Sequence, residues 1–541
     1  MQKPIVVSVN EWIYPDVTEY QSAKDVISLH TPKNSFASVQ IFIPETKAGE
    51  KITVITKNLP FEPELYRMVD VFVKFNTGVN NTNKLTDGEY LDETPPFVTR
   101  RAPFRIYDCL MPFAEGGDVT EKENTALYLA FKIPSDAADN VYKGSVTVKI
   151  GEEEAEIETE ITVHKAKVPE KIRLQRAEWF HYKLSRPIYD IDMYSEEWYE
   201  LYRKYVRQLK RVRATHLFFH LYHIKIEEVG DKYLFDFSRI KRMMQIADEE
   251  GIPTFEMGHL LMRDERGDQK QFVENDYGLF YKVEEHIFAD SKEGYNFLAQ
   301  FLPALGEFLK ENGWYDRVVQ HVGDEPIEKI RNTFRIVCGI VRKFLPGIKL
   351  MDAVLNEKLR GSTDVWVPLN TDYEKNKETF EHFKELGDEV WHYTCCGPEG
   401  KPLNRLLDME LLRTRLLFYG NYRYNLAGYL HWGFASYQPE ESNVIEYCNP
   451  IILTEVILPP GDSHIIYPGN ANGPWPGARS EMTRMGAEDC ELLWMLEKEN
   501  KAKADEICAK VMRRFDDYET DVNLFDANRA ELLKALDEVN E

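Results

Sequence analysis

The sequence predicts a mixed α/β protein: an N-terminal antiparallel β-sandwich, then a (β/α)8 barrel, then a C-terminal strand and helical segment. Two observations predict this order. Apolar and polar residues alternate in several short stretches before about residue 165, which is typical of strands with one buried face. From Arg176 onward, short apolar runs alternate with amphipathic helical stretches, which is typical of parallel strands connected by helices.

The length of the chain favours more than one domain. Its 541 residues exceed one ordinary core, since domains usually contain roughly 50 to 250 residues. We therefore predict a β-sandwich over residues 1–168, a barrel over 169–458, and a strand with helices packed on the barrel over 459–541. The linker is predicted at residues 165–170, where Pro169 follows the last alternating pattern.

The clearest pair of sandwich strands is a hairpin around Gly151. Apolar residues alternate with polar ones at Val146, Val148 and Ile150, and the alternation resumes after an acidic turn. The stretch 76–113 has no clear period and is longer than most connections, so it is either a functional loop or contains an unrecognised element. Further strands are predicted around residues 26–29, 37–43, 52–55, 69–75 and 127–133.

The barrel is predicted from a repeating strand and helix pattern. Ser238 can cap a helix with apolar residues at i, i+3, i+4 and i+7, Gly251 ends that helix, and a strand follows. Eight such strands indicate a (β/α)8 barrel, whose functional groups are expected at the carboxyl ends of the strands. The weakest connection is the fifth, because residues 355–361 leave room for only a short helix. The strands are predicted near Glu178, Leu217, Phe255, Val319, Leu350, Val365, Val390 and Tyr429.

The charge balance narrows the possible partners. Lys and Arg number 67 against 91 Asp and Glu, so the net charge is -24, which repels nucleic acids and anionic membranes. A small neutral or polar ligand is favoured, although solubility alone would also explain the charge. The oligomeric state is left open.

The cysteines and the N-terminal residues bear on the cellular compartment. Seven cysteines form neither a disulfide framework nor a paired CxxC metal motif, which fits a reducing compartment. The apolar run after Met1 is too short for a signal peptide, and no stretch approaches the roughly 18 apolar residues of a membrane span. A cytoplasmic location is therefore expected, with a signal peptide removed from the chain as the alternative.

Two adjacent carboxylates, Asp324 and Glu325, are the strongest functional signal. They follow the short apolar run 318–322, where charged groups are costly unless they serve a site. Neighbouring strand residues point to opposite faces, so both acids reach one pocket only if the chain leaves strand geometry. We expect Gly323 to relax the backbone and Pro326 to hold Glu325 extended. An acidic turn capping the next helix is the alternative.

Cofactors and metals are not expected. No glycine-rich phosphate-binding motif lies at a strand-to-helix turn, so nucleotide cofactors are unsupported. Histidines on or beside six predicted strands raise the alternative of a metal-dependent hydrolase, but no HxH or HExxH spacing occurs at a strand end. We interpret these histidines as hydroxyl-binding or interlayer residues. The six are His181, His220, His259, His321, His392 and His431, of which His181 and His220 are assigned to substrate binding.

Four segments carry a family resemblance in their order along the chain. They are residues 324–326, 391–398, 428–432 and 467–489, with a weaker match at 107–112 in the sandwich. Each segment alone is a weak signal, but the ordered set is specific. Together they resemble glycoside hydrolase family 123 and its uncharacterised relatives.

The resemblance implies an exo-acting β-N-acetylgalactosaminidase that acts on a small glycan or glycoconjugate. In its substrate-assisted mechanism, the 2-acetamido oxygen of the substrate attacks the anomeric carbon and gives an oxazoline, and the product keeps its configuration. If the residue roles of the family apply to the matching positions of this chain, Glu325 is the general acid/base, while Asp324 holds the acetamido N–H and stabilises the cationic intermediate. The alternatives are a glycosidase of the same scaffold acting on another sugar and a non-catalytic glycan-binding protein. Aglycone and linkage are left open.

Within this interpretation, two aromatic residues complete the substrate site. The hydroxyl of Tyr393, at the end of the seventh strand, is expected to bind the acetamido oxygen, with a tyrosine meeting solvent at the barrel rim as the alternative. Trp432, at the end of the eighth strand, is expected to form an apolar wall against the sugar, with packing inside the barrel as the alternative. The charged segment 479–489 is interpreted as a structural salt-bridge network.

Overall fold

The computed structural model shows a mixed α/β protein with N-terminal antiparallel sheets and a C-terminal, nearly closed barrel of parallel strands. Among the described helices, none has a stretch long and apolar enough to cross a membrane. The domain boundaries at residues 168 and 458 stay a prediction. The structure describes residues 2–78, 97–121, 123–181, 188–263, 277–281, 287–355, 357–437, 443–449, 451–452, 456–470 and 473–539.

Two five-stranded sheets form the N-terminal part. Their strands are β1 (Ile5–Val7), β2 (Ile27–Lys33), β3 (Ser35–Thr46), β4 (Lys51–Lys57), β5 (Pro63–Val73), β6 (Phe104–Pro112), β7 (Asp118–Val119), β8 (Glu123–Ile133), β9 (Asn140–Ile150) and β10 (Glu153–Lys167). The first sheet has the order β1-β3-β8-β5-β6 and the second the order β2-β10-β9-β4-β7. All pairs are antiparallel except β2 with β10, which is parallel. The predicted hairpin around Gly151 is confirmed as β9 and β10.

The first sheet is buried on both faces. In β8, Leu127, Leu129 and Phe131 enter the core between the two sheets, whereas Tyr128 and Ala130 enter the main core shared with the barrel. A strand covered on both faces has no polar face, so its sequence lacks a period of two. Strand β6, which is also almost wholly buried, lies in the stretch without a clear period and is the unrecognised element there.

The remaining strands build the barrel and five short hairpins. They are β11 (Gln175–Phe180), β12 (His216–Phe219), β13 (Lys225–Val229), β14 (Lys232–Asp236), β15 (Thr254–Met257), β16 (Leu261–Arg263), β17 (Tyr277–Leu279), β18 (Val318–Gln320), β19 (Lys349–Val354), β20 (Val365–Pro368), β21 (Glu389–Val390), β22 (His392–Tyr393), β23 (Gly428–Ala435), β24 (Ile451–Ile452), β25 (Val456–Ile457), β26 (Ile466–Asn470), β27 (Gly473–Pro476), β28 (Met512–Arg514) and β29 (Asp517–Tyr518). The barrel sheet has the order β21-β20-β19-β18-β15-β12-β11-β23-β22.

The two end strands of this sheet are consecutive in the chain, which is why the barrel nearly closes. Only Trp391 separates β21 from β22, and its N–H donates to the Trp366 carbonyl of β20 (2.8 Å). Each of the eight predicted strand positions lies in this sheet. The short helix expected after the fifth strand is not formed in the described stretch 357–364, which consists of turns.

Nine α-helices occur among the described residues. They are α1 (Glu196–Arg211), α2 (Ser238–Glu249), α3 (Lys292–Glu311), α4 (Arg331–Phe344), α5 (Asn370–Lys375), α6 (Lys377–Glu385), α7 (Leu411–Tyr424), α8 (Ala478–Val511) and α9 (Val522–Val539). Helix α2 begins at Ser238, with Phe237 as its N-cap, so the predicted Ser238 cap is wrong. Asp236 instead accepts the N–H of Ser238 through Oδ1 (2.9 Å). Gly251, which has φ +81°, follows this helix in the left-handed conformation.

Helix α8 joins the sandwich and the barrel through buried charges. The Arg479 Nε donates to Asp108 Oδ2 of β6 (3.0 Å), and Glu481 lies between Arg211 of α1 (2.6 Å) and Arg484 (3.0 Å). All five side chains are nearly or fully buried apart from Arg211, which is 15% exposed. The interpretation of this segment as a structural salt-bridge network is confirmed. Further pairs join Glu488 to Arg213 and Arg484, and Asp489 to Arg415 and Arg529.

Candidate active site

Asp324 and Glu325 lie just beyond the carboxyl end of β18, in a turn that leaves strand geometry. Both side chains are half-buried. Glu325 has φ +44°, in the left-handed region that residues with a Cβ rarely adopt. Its N–H donates to the carbonyl of Ala353 in β19 (3.1 Å). The prediction that the chain leaves strand geometry here is confirmed.

The role predicted for Pro326 is wrong, and the one predicted for Gly323 stays a prediction. Pro326 does not hold Glu325 extended, because Glu325 is itself the left-handed residue. Gly323 lies against Leu261, and a Cβ added to it would come within 3.3 Å of the Leu261 Cβ. The glycine therefore permits a close approach between two segments.

The hydroxyl of Tyr393 donates a hydrogen bond to Oε1 of Glu325. Tyr393 is 3% exposed, so it is not a tyrosine tip meeting solvent at the rim. Burial, reinforced by the nearby Glu325 carboxylate, raises the pKa of Tyr393 well above its usual value. The hydroxyl therefore keeps its proton and stays a donor. The expected contact with an acetamido oxygen remains a prediction.

Trp432 is half-buried within β23, which continues to Ala435, so Trp432 does not end the strand. Its indole N–H donates to Oδ1 of Asp462 (3.2 Å), and Asp462 is fully buried. Burial raises the pKa of Asp462 to about 7, although Arg405 and the indole N–H oppose the shift. A buried carboxyl group therefore fixes the orientation of the Trp432 ring.

His181 and His220 follow the carboxyl ends of β11 and β12, at the same end of the barrel as Asp324. Their rings stack with centroids 5.1 Å apart, and Tyr222 stacks on the other side of His220 at 4.8 Å. His181 is exposed and His220 is half-buried. The structure thus brings the two predicted residues together in an aromatic row at the rim.

Sequence reasoning missed an aromatic cluster next to this row. Trp179 lies 4.5 Å from Phe218 and 5.3 Å from His259, measured between ring centroids. Phe218 also contacts His220 at 4.8 Å, which links the cluster to the rim. The sequence position of Trp179 could have predicted this cluster, because Trp179 is two residues after Ala177 and therefore shares its face of β11.

A buried charged network lies below these groups. His321 Nε2 is 2.8 Å from Glu256 Oε2, and His321 Nδ1 is 3.5 Å from Asp352 Oδ1. Burial by itself would lower the pKa of His321, but the two carboxyl groups outweigh burial and raise it to about 9. The two carboxyl groups therefore favour the protonated form of His321. The Trp179 indole donates to Glu256 Oε2 (2.9 Å).

His259, His321 and Asp352 offer ligand atoms within 4.8 Å of one another, which is the arrangement of a candidate cation site. A metal ligand must be a deprotonated imidazole, whereas the two carboxyl groups favour protonated His321. Glu256 and Asp352 are both engaged with that histidine. The donor set fits an ion-pair network better than a metal centre. Metal independence stays a prediction.

The other strand histidines are interlayer residues. His392 is fully buried, its Nε2 lies 2.9 Å from Asn421 Oδ1, and burial lowers its pKa to about 4. His431 is also fully buried, and burial lowers its pKa well below the usual value. His392 thus packs the barrel against α7, whereas the Nε2 of His431 lies 3.6 Å from Oδ1 of Asp462.

A cavity of about 780 Å³ lies at the opposite, amino end of the barrel strands. Its lining includes Arg317, which precedes β18, and Lys349, which begins β19. Barrel enzymes carry their reacting groups at the carboxyl ends, so this cavity is separate from the candidate active site.

Comparisons with known proteins identify the family of the chain. The family model described as "Glycoside hydrolase 123, catalytic domain" matches residues 179–496. A family 123 glycoside hydrolase from Clostridium perfringens, studied for glycolipid glycan hydrolysis, has a similar structure with a TM-score of 0.73 at 13% identity, over 99% of this chain and 97% of that chain. A family 39 glycoside hydrolase from Bacteroides cellulosilyticus gives a TM-score of 0.37 at 12% identity, over 86% and 82%. No curated protein matches significantly. The chain belongs to glycoside hydrolase family 123.

Proposed function

We propose that this chain is an exo-acting glycoside hydrolase that removes terminal β-linked N-acetylgalactosamine with retention of configuration. The observation that carries the proposal is the turn after β18, where Asp324 and Glu325 adjoin and Tyr393 donates to Glu325. Family membership supports a glycosidase. We also propose that the scaffold is a variant (β/α)8 barrel in which turns replace the fifth helix.

Glu325 serves as the general acid in the first step. Tyr393 donates to Oε1 and orients the carboxyl group, which carries its proton toward the glycosidic oxygen. As that oxygen takes the proton, its bond to the anomeric carbon breaks and the 2-acetamido oxygen bonds to the same carbon. Asp324 accepts a hydrogen bond from the acetamido N–H and balances the positive charge of the oxazolinium ion.

In the second step Glu325 acts as the general base. It takes a proton from water while the water oxygen attacks the anomeric carbon and the bond to the acetamido oxygen breaks. Two inversions at one carbon leave the released sugar in the β configuration. The cycle returns Glu325 to its protonated form.

The aromatic residues around the pair supply the sugar contacts. Trp432, held by Asp462, forms an apolar wall, and His181 and His220 bind hydroxyl groups at the rim. Aromatic faces suit the apolar C–H faces of a sugar ring. The preference for an axial over an equatorial 4-hydroxyl rests on such rim contacts.

A panel of aryl glycosides tests the proposal. The β-GalNAc substrate is expected to be cleaved fastest, β-GlcNAc more slowly, and β-Gal and α-GalNAc not at all. Activity confined to β-Gal would overturn the acetamido mechanism, since β-Gal lacks the internal nucleophile. Binding without turnover of any member would assign the chain to glycan recognition.

The anomer released first provides an independent check. Early NMR spectra of the β-GalNAc reaction should show β-GalNAc before mutarotation supplies the α-anomer. An initial α signal would indicate a single inversion and exclude the oxazoline pathway.

A further inference from the structure

The backbone that carries the two candidate catalytic acids is in an unfavourable conformation. Glu325 has φ +44°, and a residue with a Cβ stays in that region only when its surroundings hold it. Pro326, the residue after Glu325, cannot donate a backbone hydrogen bond to hold the turn, because proline has no N–H. Some other element must therefore fix this turn.

One short segment of β19 supplies the contacts. Val322 N–H donates to Asp352 Oδ2 (3.0 Å) and Gly323 N–H donates to Asp352 Oδ1 (3.2 Å). Glu325 N–H donates to the carbonyl of Ala353, the next residue of that strand (3.1 Å). Residues 352–353 thus accept hydrogen bonds from three N–H groups of the turn, all from the β19 side.

Only a carboxylate can make the two side-chain contacts as they stand. Each Asp352 oxygen accepts one N–H, and an asparagine would place its own NH2 against one of these donors. Asp352 is fully buried, so a lost partner is not replaced by water. The geometry at this position therefore requires two acceptors.

The buried charge of Asp352 is offset by its neighbour. His321 directly follows β18. Its Nδ1 lies 3.5 Å from Asp352 Oδ1, and its Nε2 lies 2.8 Å from Glu256 Oε2. The imidazole thus lies between two acids, and the Trp179 indole donates to Glu256 at 2.9 Å. This chain of contacts runs below the site from β19 past β18 and β15 to β11, and β12 lies between the last two strands.

We propose that Asp352 is a positioning residue, which holds the turn of Asp324 and Glu325 in its left-handed form and is itself charge-balanced by His321. The proposal deepens the proposed function and rests on it for its kinetic consequences. A shift of about 1 Å in an acid and its partner lowers the rate strongly while leaving ground-state binding largely intact.

The test compares Asp352→Asn with Asp364→Asn. Asp364 is a matched control, because its Oδ2 also accepts a backbone N–H, that of Leu350 (2.8 Å). Leu350 belongs to β19, as Asp352 does, but lies at the opposite end of the barrel. For Asp352→Asn we expect kcat to fall roughly 10²-fold on both activated and poor leaving groups, with KM nearly unchanged. For Asp364→Asn we expect kcat to stay near that of the unchanged protein. Equal kcat values for Asp352→Asn and the unchanged protein would overturn the proposal.

A second variant covers the case in which Asp352→Asn does not fold. Glu256→Gln keeps the size of the side chain and removes one of the two acids beside His321, so kcat should fall less, with the same unchanged KM. A rise in KM with constant kcat would instead place this network in sugar binding and overturn a positioning role.

A crystal structure of the Asp352→Asn protein, or of Glu256→Gln if it alone folds, separates this proposal from the choice of substrate. We expect Glu325 to leave the left-handed region or to occupy two conformers. An unchanged φ at Glu325 would overturn the proposal even if the sugar assignment holds, and a changed φ would support it even if the substrate is another sugar. One metal ion per chain, lost in Asp352→Asn, would make Asp352 a ligand and also overturn it.

Discussion

The buried charge network of α8 and the one below the candidate active site differ in the cation that balances their acids. Glu481 on α8 lies between Arg211 and Arg484, whereas Asp352 faces His321. Burial would raise the pKa of both acids. The two arginines outweigh burial and lower the pKa of Glu481 to about 2, while His321 does not, and the pKa of Asp352 rises to about 6.

This difference separates a structural role from a functional one. Arginine keeps its charge at every accessible pH, so the acids beside it are fixed anions that tie α8 to the sandwich and barrel. Histidine can lose its charge, and Asp324 and Glu325 add further acids just above it. An excess of acid is costly in a core but suits a site in which positive charge develops on the sugar.

The largest expected effect is at Glu325 and concerns rate alone. Glu325→Gln should lower kcat by roughly 10² to 10⁴ on a poor leaving group and much less on an activated aryl glycoside, which leaves with little protonation. The unfolding midpoint should not fall, because Glu325 belongs to the site and not to the α8 network. Similar losses on both substrate types would contradict its role as general acid.

Asp324→Asn should give a different kinetic signature. Because Asp324 balances charge and holds the acetamido group, its loss should slow both substrate types by about 10²- to 10³-fold. It should also weaken binding of a thiazoline that mimics the oxazoline. The comparison with Glu325→Gln is made on the same pair of substrates, and an identical leaving-group dependence in both variants argues against divided roles.

Glu481→Gln should reverse the pattern by lowering stability and sparing catalysis. Removing one member of a buried ion pair costs about 3 to 5 kcal/mol, here by leaving Arg211 and Arg484 short of a partner. The matched control is Glu497→Gln on the same helix. Its side chain is 30% exposed and pairs with Lys501, which is 65% exposed, so the pair contributes about 0.5 kcal/mol or less. Urea unfolding measures both, and kcat per folded molecule should be unchanged in each. A stable Glu481→Gln protein with low kcat would refute the structural assignment.

Acid should weaken the α8 network by more than it weakens exposed pairs. The folded pKa of Glu481, about 2, lies below its ordinary value of 4.5, so its stabilisation is complete above pH 4.5 and is lost as pH falls through 2. Between pH 5 and pH 3 the unchanged protein should lose about 2 kcal/mol more unfolding free energy than Glu481→Gln. Parallel losses in the two proteins would show that other groups control acid unfolding.

The smallest expected effect is that of a chelator. If His259, His321 and Asp352 form an ion-pair network, prolonged EDTA treatment should leave turnover unchanged. A rate that falls with EDTA and returns with zinc would replace the network with a metal centre, and the contrast with α8 would then no longer hold.

Local sequence patterns predicted the strands more reliably than their connections. All eight predicted strand positions lie in the barrel sheet, because each buried strand is a short apolar run set off from helical periodicity. Strand β6 was missed because both of its faces are covered. The cap at Ser238 was misplaced because Asp236 made the capping contact instead.

The candidate site was predicted in part. Asp324 and Glu325 were found because two acids after an apolar run are conspicuous in any sequence, and His181 and His220 do lie side by side. The bond from Tyr393 to Glu325 was not predicted. These two residues are 68 positions apart, and no local pattern records which atom a tyrosine hydroxyl reaches.

The sequence by itself determined the order of sandwich, barrel and charged helix, the acid pair and the family resemblance, because periodicity and motif order are properties of neighbouring residues. Only the tertiary structure decided which residue is strained and what holds it. Asp352 reaches Val322 across 30 positions, and Arg479 reaches Asp108 across 371. Such contacts depend on how separate strands and helices pack, and burial then fixes their charges.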